Sequence, residues 1–113
     1  MTQQLELARR HCAACEGGQE ALTLDAARAL LRQLPDWTLA EDGQSIHRDF
    51  VFKNFDATIS FVNAVAWLAR REDHHPDMEV GYRHCHVHYS THAIGGLSDN
   101  DFICAAKIDQ LLD

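Results

Sequence analysis

Apolar residues recur at helical spacing in three segments of the chain. The first segment, 24–34, follows Thr23 as an N-cap and ends before Pro35. The second, about 54–72, is the longest, and its apolar residues cover more than one helix face. The third opens at 98–101 with the helix-starting run Ser-Asp-Asn-Asp. The breadth of the apolar surface on the second helix predicts contact with another subunit as well as with its own sheet.

Alternating apolar and polar residues predict four strands in two hairpins, at 37–40, 46–52, 78–82 and 85–90. Within the last strand, Cys85, Val87 and Tyr89 share one face and three histidines share the other. The order α-β-β-α-β-β-α indicates an α+β fold, with helices covering one face of a four-stranded antiparallel sheet. We expect this single domain at residues 23–113, after a loosely ordered lead-in at 1–22 that contains a glycine-rich breaker cluster.

Length and composition fit one small domain. The chain has 113 residues, 46% of them apolar, with only six glycines and two prolines, which argues against disorder. Its formal net charge of −7 repels phosphate backbones, so we expect no nucleic-acid partner. The first ten residues lack the apolar core of a signal peptide, and the longest apolar stretch is too short to cross a bilayer. We therefore expect a cytoplasmic protein with no membrane partner and with free thiols at its four cysteines.

Eight histidines are an unusual number for this length, and histidine serves both in proton transfer and as a metal ligand. His74 and His75 lie in the loop between the longest helix and a strand, and His92 follows a later strand. Neighbouring strands of a sheet bring such ends together, so these imidazoles could divide acid and base roles in one cleft. The alternative is a polar surface loop at a helix end.

Two other clusters have alternative interpretations. His84, His86 and His88 project from one strand face, as a metal-binding array or as the solvated side of the sheet. Cys12 and Cys15 form a C-x-x-C that could be half a zinc site, a redox pair or two free thiols. We expect the solvated face, the free thiols and no bound metal. Four residues on apolar stripes are expected in the core: Trp37, Trp67, Cys85 and Cys104.

The loop histidines belong to a longer pattern. His-His-Pro at 74–76 is followed after five residues by Tyr82, after nine more by His92 and after eight more by Asp101. This pattern, together with the Ser-Thr-His run at 90–92, resembles the signature of the pterin-4a-carbinolamine dehydratases. The resemblance extends from about Leu24 to the C-terminus and includes the order of helices and strands.

The resemblance implies an enzyme that eliminates water from a 4a-hydroxytetrahydropterin to give quinonoid dihydropterin in tetrahydrobiopterin recycling. It implies no metal and no organic cofactor, a homodimer or homotetramer formed through the long helix, and an aromatic amino acid hydroxylase as a pathway partner. Members of the family also act as protein partners in transcriptional regulation. A non-catalytic, coactivator-type binding role is therefore the alternative function.

The resemblance also implies roles for individual residues. His74 and His92 are the expected acid/base pair, and His75 is the third catalytic histidine. Four residues are expected to bind the pterin: Asp73, Ser90, Thr91 and Asp101. For Asp101, a helix capping box with Ser98 is an alternative and purely structural role. The chain departs from the family pattern at Arg70, where many members have a carboxylate, and at Asn100, where the residue is often basic.

Overall fold

The computed structural model describes residues 2–13 and 20–112. The helices in these ranges are α1 (Thr2–Arg9), α2 (Leu24–Leu31), α3 (Phe55–Glu72) and α4 (Asp99–Gln110). The strands are β1 (Thr38–Leu39), β2 (Ile46–Val51), β3 (Asp77–Val80) and β4 (His84–Tyr89). A short 3₁₀ turn, His92–Ile94, lies between β4 and α4.

The four strands form one antiparallel sheet in the order β1-β2-β4-β3, which confirms the predicted α+β fold. The predicted alternation along β4 is also confirmed. Cys85, Val87 and Tyr89 are buried, whereas the three histidines that alternate with them, His84, His86 and His88, are exposed or half-buried. One face of the sheet therefore contributes to the core, and the other carries the histidines.

The core lies between this sheet and the helices. Its fully buried side chains include Tyr89, Phe102, Leu34, Ile46, Leu97, Ile103 and Ile108. Helix α4 is buried along the whole run 100–108 and contacts both α1 and α3. Its C-terminal end is joined to the sheet by Asp109, whose Oδ1 accepts hydrogen bonds from Trp37 Nε1 at 2.9 Å and from Arg48 Nη1 at 2.7 Å. A helix buried on this scale gives the residues at its N-terminal end a rigid base.

Helix α3 ends in a sharp turn that positions the histidine loop. Asp73 takes the left-handed conformation, with φ of 51°, and the amide of His74 donates to the carbonyl of Ala69 at 3.1 Å. This is a Schellman-type helix end, although an aspartate here replaces the usual glycine. Among the described residues, no other non-glycine residue has a positive φ.

Two expectations differ from the structure. Within the expected loose lead-in, residues 2–9 form helix α1, and Leu7 and Ala8 are buried against the core. Lys107 Nζ donates to the carbonyl of Ala8 at 2.6 Å, so contacts with α4 stabilise a helix too short to persist alone. The core prediction is confirmed for Trp37, Cys85 and Cys104 but is wrong for Trp67, which is 60% exposed. Trp67 lies outside the buried stripe of α3, which runs through Phe61, Val65 and Leu68.

Within the described ranges, no helix combines the length and the apolar character needed to span a bilayer.

The packing of α1 can be tested by shortening its buried leucine. We expect Leu7→Ala to lower the free energy of unfolding by about 2 kcal/mol, because it leaves a cavity against α4. Glu6→Ala, at an exposed neighbouring position, should change it by less than about 0.5 kcal/mol. Urea denaturation measures both variants, and equal stability of the two would contradict the docked helix.

Candidate active site

A cleft of about 310 Å³ opens where the end of α3, the end of β4 and the start of α4 meet. Nine residues line it: Ala13, Asp73, His74, His75, Ser90, Thr91, His92, Ala93 and Asn100. Six of the seven residues proposed from the sequence therefore surround one cavity, and its volume suits a small heterocyclic ligand. The seventh, Asp101, lies beneath the cleft and is completely buried.

Asp101 accepts three hydrogen bonds from protein groups. Its Oδ1 receives one from His74 Nε2 at 2.6 Å. Its Oδ2 receives one from Thr91 Oγ1 at 2.8 Å and one from the amide of Ser98 at 2.9 Å. The bond from Ser98 belongs to the capping box of α4, so Asp101 caps the helix and also contacts a site histidine. Because both oxygens are occupied and neither lines the cleft, Asp101 acts on the site through its neighbours.

His74 is held in one orientation by contacts on two sides. Asp101 binds Nε2, and the imidazole stacks on the ring of Tyr89, with centroids 5.4 Å apart and planes 4° from parallel. The side chain is 12% exposed. Burial by itself lowers the pKa of His74, but the hydrogen bond to Asp101 and the carboxylate charge outweigh it, so the pKa is raised above its ordinary value. Since Asp101 fixes the proton on Nε2, Nδ1 is the ring nitrogen that remains for a ligand.

His75 and His92 are both exposed at the cleft, in contrast to His74. His92 begins a short closed loop in which the amide of Thr91 donates to the carbonyl of Gly96 at 2.7 Å. Gly95 closes the loop with a φ of 65°, a conformation in which a side chain would be strained. The loop presents His92 on one side of the cleft, and the turn at the end of α3 presents His74 and His75 on another.

A second, smaller cavity of about 240 Å³ adjoins the first. The two share Ser90, Thr91 and His92. The second cavity extends along the turn between β1 and β2, where Asp42, Gln44 and Ser45 line it. The end of β4 is therefore accessible from two connected depressions.

One wall of the cleft, to which Ala13 of residues 11–13 (the N-terminal segment) contributes, was not predicted from the sequence. The side-chain amide of Asn100 pairs with the backbone of Ala13: Nδ2 donates to the carbonyl at 2.6 Å, and Oδ1 accepts from the amide at 3.0 Å. The buried Glu72 accepts from the amide of Cys12 at 2.9 Å and lies 3.2 Å from His11 Nδ1. One feature of the sequence indicated this contact, which is the departure from the family pattern at Asn100. A side-chain amide can both donate to and accept from a backbone peptide group, whereas a basic side chain can only donate.

The other motifs singled out in the sequence are the histidines of β4, Tyr82 and the C-x-x-C pair, and none of their described residues lines this cleft. His86 Nδ1 lies 2.6 Å from Asp49 Oδ1 on the exposed sheet face, and Tyr82 is exposed beside Phe55. In the part of the chain that the structure describes, no three His, Cys, Asp or Glu side chains are grouped so that they could hold a metal ion. Of the C-x-x-C pair, Cys15 lies outside the described residues, and Cys12 lies beside Cys104.

The ion pair of His74 with Asp101 predicts a specific pH dependence of stability. Because the folded-state pKa of His74 is raised, the pair stabilises the fold fully below the unfolded imidazole pKa of about 6.5, and that contribution is lost as pH rises through the folded-state value. We expect Asp101→Asn to lower the pKa of His74 in an NMR titration and to destabilise the protein more at pH 5.5 than at pH 9. Asp99→Asn, in the same helical turn but exposed and paired with Arg10, is the control. An unchanged pKa of His74 in Asp101→Asn would contradict the assignment.

Comparison with known proteins places this chain in a family. The model of the family described as pterin 4 alpha carbinolamine dehydratase matches residues 20–111. Two curated relatives share the name "Putative pterin-4-alpha-carbinolamine dehydratase". The relative from Legionella pneumophila (strain Lens) is 56% identical over 108 residues, which are 95% of this chain and 96% of that protein. The relative from Nitrosomonas eutropha is 58% identical over 113 residues, which are 99% of this chain and 98% of that protein.

Solved structures show the same fold. The crystal structure of a transcriptional coactivator/pterin dehydratase from Brucella melitensis aligns with a TM-score of 0.79 and 29% identity, covering 83% of this chain and all of that one. A second structure is that of a pterin dehydratase-like protein identified as a RuBisCO assembly factor in the alpha-carboxysome. It aligns with a TM-score of 0.59 and 19% identity over 67% of this chain and 88% of that one, and it is similar in fold. The family match and the relatives over the whole chain show that this protein belongs to the pterin-4a-carbinolamine dehydratase family.

Proposed function

We propose that this protein eliminates water from a 4a-hydroxytetrahydropterin to give quinonoid dihydropterin, in the recycling of tetrahydrobiopterin. The observation that carries the proposal is the convergence of His74, His75 and His92 on one cleft, with His74 anchored to a buried carboxylate. Membership of the dehydratase family supports it. A pterin-dependent aromatic amino acid hydroxylase is then the class of enzyme that supplies the substrate.

The reaction needs one proton donor and one proton acceptor. Hydroxide is a poor leaving group, so an acid must protonate the departing oxygen as its bond to carbon breaks, and a base must remove the proton from the adjacent ring nitrogen. His74 suits the acid because Asp101 favours its protonated form. His92, exposed in the loop after β4, suits the base, and His75 assists in placing the substrate. These assignments balance the reaction, since one proton enters the leaving water and one leaves the pterin.

The hydrogen bonds of the cleft suggest which residues contact the pterin. Thr91 Oγ1 already bonds to Asp101, and the backbone of Thr91 pairs with Gly96, so Thr91 holds the loop. Asp73 and Ser90 line the cleft and could accept from, or donate to, the amide-like edge of a pterin. We therefore assign substrate contact to Asp73 and Ser90, and a positioning role to Thr91 and Asp101.

Replacing either the proposed acid or the proposed base should slow turnover while the fold persists. We expect His74→Ala and His92→Ala each to slow the decay of a 4a-hydroxytetrahydropterin by about 10²–10⁴-fold in stopped-flow measurements, because each removes a positioned proton-transfer group. The control is His84→Ala, which replaces an exposed histidine at the start of β4 and should retain the wild-type rate. Circular dichroism serves to verify folding of all three. Unaltered turnover in both cleft variants would contradict the assignment of His74 and His92 as catalytic residues.

The outer face of α3 supports the proposal of a homodimer or homotetramer. Trp67 exposes 60% of its surface there, although tryptophan is costly to leave in water. We expect light scattering at micromolar concentration to give the mass of a dimer or tetramer, and Trp67→Glu to lower it. Val51→Glu, an exposed apolar position on β2, should leave the mass unchanged. A wild-type monomer would contradict an assembly through this helix.

The second candidate is a coactivator-type role in binding another protein. Two observations favour it: the exposed Trp67 on α3, and the structural likeness to the transcriptional coactivator/pterin dehydratase from Brucella melitensis. A binding protein of this kind would keep its partner when His74 is replaced by Ala and lose it when Trp67 is replaced by Glu. Turnover measurements on the same two variants separate this role from catalysis.

A further inference from the structure

Two thiols face each other beside the cleft. The sulfurs of Cys12 and Cys104 are 3.3 Å apart, although 92 positions separate the residues in the chain. A disulfide bond is about 2.05 Å long, so closing the gap requires a movement of little more than about 1 Å. Cys104 is only 3% exposed on α4, whereas Cys12 is half-buried. Cys12 is therefore the more accessible residue of the pair, and Cys104 is the protected one.

This proximity does not depend on the thiols themselves. The amide of Cys12 is held by Glu72 at 2.9 Å, and the next residue, Ala13, is held by the two hydrogen bonds to Asn100. These contacts anchor the backbone on both sides of the Cys12 side chain to α3 and α4. The two sulfurs are thus aligned by groups that an oxidation of the thiols leaves intact.

We propose that Cys12 and Cys104 form a reversible intramolecular disulfide that fastens the N-terminal segment to α4. Ala13 and Asn100 both line the cleft, so the bond would fix one of its walls. Cys12 precedes the residues 20–111 that match the family model. The pair therefore joins a residue outside the matched range to Cys104, which lies within it.

The oxidant is a small-molecule disulfide. The thiolate of Cys12 attacks one of its sulfurs, forming a mixed disulfide and releasing one thiol. The thiolate of Cys104 then attacks Cys12 Sγ, which forms the internal bond and releases the second thiol. In total the two cysteines lose two electrons and two protons, and the small disulfide is reduced to two thiols. A dithiol reductant reverses both exchanges.

The surroundings of Cys12 make this exchange slow near neutral pH. The contact with Cys104 and burial both raise the pKa of Cys12, and the charge of Glu72 raises it further. His74, in the turn after α3, acts in the opposite direction and lowers the pKa of Cys12. Tyr89 on β4 also faces the pair and has a raised pKa because of burial. Since the thiolate is the reacting form, the rate of closure should rise with pH between 7 and 9.

The test is oxidation of the full chain with glutathione disulfide, followed by alkylation of the remaining thiols and peptide mapping without reduction. We expect one cross-linked peptide pair containing Cys12 and Cys104, with two of the four cysteines still alkylated. The thermal midpoint should rise by several degrees, because the bond closes a long loop in the unfolded chain. Dithiothreitol should return it to the starting value.

Matched variants identify the partners. Cys15→Ser and Cys85→Ala should both retain the cross-link, the second because Cys85 is buried in β4 away from the pair. Cys12→Ser and Cys104→Ser should each abolish the cross-link and the rise in the thermal midpoint. A peptide joining Cys12 to Cys15 would overturn the proposal. So would a stable adduct of glutathione on Cys12, or four alkylated cysteines after oxidation at pH 9.

Discussion

A buried carboxylate at the start of α4 is the constraint on which the site depends. Asp101 has no exposed surface, and burying such a charge is costly unless donors surround it. The donors come from three places: the turn after α3, the loop after β4 and the capping box of α4 itself. Asp101 thus joins the three segments that carry the cleft residues. Removing any one donor would leave the buried carboxylate partly unpaired. The same three hydrogen bonds therefore determine both the geometry of the site and part of the stability of the fold.

The rigidity of α4 allows Asp101 to serve this purpose. The helix is buried along 100–108, between α1 on one side and α3 on another. Because the buried helix fixes the position of the Asp101 carboxylate, the hydrogen bond to it fixes the position of the His74 imidazole. The stacked ring of Tyr89 limits the remaining rotation of His74. The same architecture supplies the floor of the cleft, while His75 and His92 are exposed at its edges.

Short-range patterns predicted most of this arrangement. The alternation in β4 and the capping box of α4 depend on residues close in the sequence, and the grouping of the histidines follows from their places at helix and strand ends. The features that were missed depend on contacts between distant residues. The pairing of Asn100 with Ala13 spans 87 positions, and the Cys12–Cys104 contact spans 92. Helix α1 was missed for the same reason, because its contacts with the distant α4 stabilise it and its own sequence has no clear apolar stripe.

The cleft therefore has two kinds of wall with different origins. The wall that carries the histidines lies within the range matched by the family model, and its geometry follows from Asp101. The wall formed by Ala13 lies before that range and is held by Glu72 and Asn100. Helix α4 connects the two walls, because it carries both Asp101 and Asn100. Two adjacent side chains of one buried helical turn thus hold the two walls, each through a different set of contacts.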